Sequence, residues 1–95
     1  MKTVWKYVLG PRDNTFQMPV GAKILHVGRA QGELALWALV DSDAEKIDRH
    51  FFTVGTGHEL PDKGTSYVTF IGTTMVPNAM PGMDIVIHVF EYSKQ

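Results

Sequence analysis

Residues 83–92, MDIVIHVFEY, place Ile85, Ile87 and Val89 on one side of an extended backbone and Val86, His88 and Phe90 on the other. β-Branched and aromatic residues at a period of two pack well on a pleated strand and lose side-chain freedom in a helix, so this stretch predicts β-structure. The same period recurs along the chain. In TVWKYVL at 3–9, Trp5, Tyr7 and Leu9 oppose Val4, Lys6 and Val8, which predicts a half-buried first strand. AKILHVG at 22–28 reads as a strand, and LALWALVD at 34–41 is apolar on both faces. Two apolar faces mark a central strand, here forming a hairpin with the segment before it. Strand signal resumes from Arg49 to Val54 and again in YVTFIG at 67–72.

Turn formers separate these stretches. GPRDN at 10–14 predicts a reversal, and a short apolar segment, Phe16 to Met18, leads into Pro19 and Gly21. RAQGE at 29–33 is a polar connection. SDAEKID at 42–48 has the capping-box spacing of Ser42 and Glu45, but too few apolar residues to hold a helix on a core, so it reads as a charged loop or a single turn. ELPDKGTS at 59–66 is loop by composition, and TTMVPNAMPG at 73–82 reads as an irregular excursion. The segments 53–61 and 70–77 echo each other (an apolar residue, Gly, Thr, then Pro), which reads as two strand exits that each need a glycine. The expected fold is all-β: a small antiparallel β-sandwich or partly open barrel of six to seven strands, in one domain over residues 1–95.

A chain of 95 residues with 44% apolar side chains has enough for one core. Nine Lys and Arg against ten Asp and Glu give a formal net charge of -1, so general binding of duplex nucleic acid is not expected. With no cysteine there is neither a disulfide framework nor a thiolate zinc site. Lys6 and Gly10-Pro11 cut the first apolar run too short for a signal segment, and no run approaches the roughly 20 apolar residues of a membrane span. A cytoplasmic protein with no membrane partner is expected.

Candidate chemistry centres on Gly55-Thr56-Gly57-His58. It has neither the spacing nor the lysine of a P-loop, and Leu60 stands where the dinucleotide fingerprint needs glycine. Successive backbone N–H groups in such a turn can form a concave anion site, with Thr56 and His58 as added donors and Arg49 as a charge; the bland alternative is a turn that ends a strand. His26, His50, His58 and His88 lack ligand spacing; His26 and His88 could meet across a sheet, but no metal and no cofactor are expected. Adjacent His58 and Glu59 point to opposite sides of an extended chain, which weakens an acid-base pair, and Asp41, Asp43, Glu45 and Asp48 read as a solvated loop. No nucleophile elbow is present, so no catalytic residue is assigned. Trp5, Tyr7, Phe51, Phe52, Phe70, Phe90 and Tyr92 read as core, with stacking beside Arg29 or Arg49 as the functional alternative. Met75, Met80 and Met83 with Pro77 and Pro81 make 75–83 either a cover for an open end of the fold or a surface for a partner or a second copy.

WKY at 5–7, MPVGAKILHV at 18–27, LWALVD at 36–41, VGTGHEL at 54–60, YVTFIGT at 67–73 and IHVFE at 87–91 together resemble a family of small proteins encoded by bacteriophages and prophages, with the charged stretch 42–48 as the expected point of departure. The resemblance implies a phage gene product at work in an infected bacterial cytoplasm. From it follows the expectation of a non-enzymatic accessory protein, homo-oligomeric, that counters host defence by binding a host protein or sequestering a small nucleotide-like anion. The alternatives are a virion or assembly protein and a small hydrolase using His58.

Overall fold

The structure is a computed structural model, and it describes residues 1–62, 67–77, 82 and 84–93. Seven strands follow one another: β1 (Lys2–Val8), β2 (Asp13–Pro19), β3 (Lys23–Ala30), β4 (Glu33–Asp41), β5 (Lys46–Gly55), β6 (Tyr67–Pro77) and β7 (Asp84–Ser93). They form two antiparallel sheets, β1-β4-β3 and β2-β5-β7-β6, packed as a sandwich rather than a closed barrel. Among the described residues no helix is long and apolar enough to cross a membrane.

The alternation read from the sequence decides which side chains enter the space between the sheets. Along β1 exposed and part-buried residues alternate without a break, with Trp5 and Tyr7 turned inward. β4 is the middle strand of its sheet, and Leu36, Ala38 and Val40 on its inner face are sealed from solvent. Met18, Val27, Phe51 and Val89 meet them from the neighbouring strands. Phe51 and Phe52 point to opposite faces of β5, yet both are buried, at 1% and 2% exposure. The four-stranded sheet must therefore be covered on its outer face too. There Phe52, Val54 and Tyr92 form a second cluster with Phe90, and the segment after β5 closes over it through a hydrogen bond from Tyr92 Oη to Pro61 O, 3.0 Å.

The β1–β2, β2–β3 and β4–β5 connections switch the chain between sheets. Between β1 and β2, Asn14 accepts from Gly10 N (2.7 Å) and donates to Gly10 O and Arg12 O (3.0 Å each). The buried Thr53 accepts from Arg12 N at 2.8 Å, so this turn is anchored to β5. Between β2 and β3, Ala22 N reaches Pro19 O at 3.1 Å, with Gly21 at φ 80 supplying the left-handed residue. The β3–β4 hairpin is tighter than the five-residue connection expected: Gln31 and Gly32, at φ 54 and 79, form the turn alone.

β6 also differs from its sequence reading. It does not stop at residue 72 but runs to Pro77, and Gly72 is not a strand exit. A register shift between Phe70 and Gly72 resets the alternation, which is why the period of two fades there. A Cβ at Gly72 would stand 3.2 Å from Val27 Cβ, so glycine lets β3 cross close to β6. The expected coverage by Met80, Pro81 and Met83 lies outside the described residues.

Candidate functional site

β5 ends in a β-turn closed by His58 N donating to Gly55 O, 3.1 Å, with Gly57 at φ 85. Alternation along the strand sends the residues of this turn to different sides. A Cβ built on Gly55 would lie 3.1 Å from His58 Nδ1, so the His58 imidazole occupies the space a larger residue would fill. It borders a cleft of about 490 Å³ at one open end of the sandwich, walled by Leu9, Leu34, Val54, Val76, Ile85 and Ile87. Thr56 instead bonds to His88 Nε2 at 2.7 Å. That side of the turn borders a shallower groove of about 270 Å³ with Leu60, His88 and Phe90. Gly55, Thr56, Gly57 and His58, the four residues expected to form one anion cradle, all line this shallower groove, and Gly55 and His58 border the larger cleft as well.

Arg49 is not with them. It lies six residues before Gly55 on β5, about 20 Å at ~3.3 Å per residue. Its guanidinium grips Glu91 through two bonds, Nε to Oε2 at 2.6 Å and Nη2 to Oε1 at 2.7 Å, and donates through Nη1 to Ala22 O at 2.6 Å. The two side chains are only 18% and 12% exposed. The hydrogen bonds it donates to Glu91 hold the Arg49 guanidinium even above its ordinary value. This arginine clamps the β2–β3 turn to the four-stranded sheet. The cation beside the cleft is Arg12, whose guanidinium lies over the Phe52 ring, 5.2 Å from its centroid.

His88, which the sequence offers as able to meet His26 across a sheet, is instead bonded through both ring nitrogens to threonines. Thr56 Oγ1 holds Nε2 and Thr73 Oγ1 holds Nδ1 at 2.9 Å, so one ring joins the β5 turn, β7 and β6. Its register opposite Val54 and Thr73 is the cause, and no local motif announces it. His26 does not meet it. It lies in the other sheet, folded over Gly28 and 5.8 Å from the Trp37 ring. His50 bonds to Thr15 Oγ1 at 3.0 Å. Among the described residues no three His, Cys, Asp or Glu side chains converge to hold a metal ion.

A family model, Domain of unknown function (DUF7352), matches residues 1–95. The chain belongs to the DUF7352 family. No curated protein and no solved structure matches this DUF7352 chain.

Proposed function

We propose that this DUF7352 chain is a non-enzymatic binding protein that holds a small ligand, apolar or ring-bearing in body and anionic at one end, in the cleft at the open end of the sandwich. The cleft carries the reading. Its roughly 490 Å³ and its walls of Leu, Val and Ile with an imidazole at the edge match the composition of small-molecule sites, which have volumes of ~300–1,000 Å³ and few polar groups. His58 is the polar contact, and Arg12 adds positive charge where a ligand can compete for its stacking on Phe52.

The setting we attach to this activity is a phage gene product in the cytoplasm of an infected bacterium, where sequestering a nucleotide-like signal or occupying a host protein would blunt defence. It rests on the resemblance of the sequence blocks and on analogy with other small all-β phage proteins. Calorimetric titration with nucleoside monophosphates, cyclic dinucleotides and a simple aromatic carboxylate tests the ligand. At least one should release heat, and His58→Ala and Ile85→Ser should each weaken it tenfold or more. Silence across the whole panel overturns the small-ligand reading.

A further inference from the structure

Each sheet has two edge strands, and three of the four edges carry charged residues: Lys2 and Lys6 on β1, Asp13 on β2, Lys23 and Arg29 on β3. Charges on an edge keep it from pairing with another chain. β6, YVTFIGTTMVP, is the longest strand at 11 residues and has none. One side of it pairs with β7, and among the described residues its other side pairs with no strand. Its large apolar side chains face solvent: Tyr67 and Phe70 are each 58% exposed, Val68 47% and Met75 61%. The bulge at Gly72, where Val27 crosses, sets off Tyr67–Phe70 as the open stretch before it.

The dimensions of the molecule agree. Its Cα atoms span 44 × 34 × 15 Å, with a radius of gyration of 14.1 Å, against about 12 Å for a compact monomer of this length. It exposes 6273 Å², whereas a folded monomer of its 10.6 kDa mass exposes about 5,500 Å². This surplus of about 800 Å² is comparable in size to the area one partner covers in a standard interface.

We infer that two copies of this chain join edge to edge through β6, laying Tyr67–Phe70 of one antiparallel to the same strand of the other, so that the two four-stranded sheets become one. The occupant is a second copy because an uncharged strand offers nothing by which a charged foreign strand would be selected. Antiparallel pairing about a two-fold axis sets this apolar row against an identical row, with no like charges opposed. The edge supplies main-chain hydrogen bonds, and the exposed Tyr67, Val68 and Phe70 side chains supply apolar area.

Sedimentation velocity over a concentration series, on the full chain, reads the mass directly. The wild type should sediment as a dimer. Tyr67→Lys and Val68→Lys should each raise the dissociation constant a hundredfold or more, while Val4→Lys, at a 49% exposed site on β1, should leave it unchanged. Phe70 is left intact because its ring meets Phe90 edge-on, 5.6 Å between centroids, and its loss would disturb the fold itself. Hydrogen exchange on the wild type needs no variant: β6 amides should lose protection on dilution while β1 and β3 amides do not. A chain that stays monomeric up to about 200 µM, above the micromolar range of weak standard-size interfaces, overturns the inference. So does a dimer that Val4→Lys dissociates and the β6 variants leave intact, or an edge that pairs only with a different protein.

Discussion

Replacing Arg49 with methionine tests the clamp that fastens the β2–β3 turn to the four-stranded sheet. The Arg49 and Glu91 side chains are 18% and 12% exposed, and 42 residues of sequence separate them. Methionine keeps most of the volume and its contact with Phe51, whose ring centroid lies 5.8 Å from Cζ. What it removes is two charge-assisted bonds to Glu91 and one to Ala22 O, leaving a carboxylate between the sheets with no counter-charge. Breaking a buried pair from one side costs about 3–5 kcal/mol, and with the pair about one-sixth exposed the lower end, about 3 kcal/mol, is expected. A chain this long has a total stability of about 5–14 kcal/mol, so the loss is a large fraction. Urea unfolding followed by Trp5 and Trp37 fluorescence should show the midpoint falling by about 2–3 M with little change in slope. The double variant Arg49→Met/Glu91→Leu should recover most of the loss, because it removes both charges instead of stranding one. A cost for Arg49→Met below about 1 kcal/mol, or double-variant losses that simply add, would refute the reasoning.

Gly72→Ala should cost about 1–2 kcal/mol in thermal or urea unfolding, since the added methyl meets Val27 Cβ and Cγ2 at 3.2 and 3.3 Å and separates β3 from β6. Tyr7→Phe should be neutral or stabilise by up to about 1 kcal/mol, because the Tyr7 hydroxyl is buried with no hydrogen-bond partner among the described residues. Alkaline unfolding gives a further check: burial raises the Tyr7 phenol above its ordinary value, and burial with Asp13 and Asp62 raises that of Tyr92. A raised folded-state value means their stabilising contribution is complete below the unfolded phenol value of about 10 and is lost as pH climbs through the folded one. Stability measured from pH 8 to 11.5 should therefore stay level and then fall, and Tyr7→Phe should soften the fall.

Much of the fold was legible from alternation, since a strand with one wet and one dry face writes its period into neighbouring residues. β1, β4 and β7 are found within a residue of where their patterns put them, whereas of the segment 42–48, read as a charged loop or single turn, only 42–45 turns and Lys46–Asp48 already belong to β5. β6 runs on past residue 72, where its sequence reads as an irregular excursion, because a bulge shifts the period in mid-strand at the point where Val27 of β3 comes close. At the candidate site, the turn at 55–58 is legible in the sequence, but its bond from Thr56 to His88 and the second cleft that His58 borders are not. Arg49 was singled out as a ligand charge for its nearness in sequence, yet its partners are Glu91 and Ala22. By itself the sequence determined the all-β class, the strand faces and the turns, because these depend on interactions between residues a few positions apart. The tertiary structure decided which strands sit at edges, where the cleft opens and whether an arginine clamps or binds, because each depends on groups that only chain reversal brings within a few ångströms of one another.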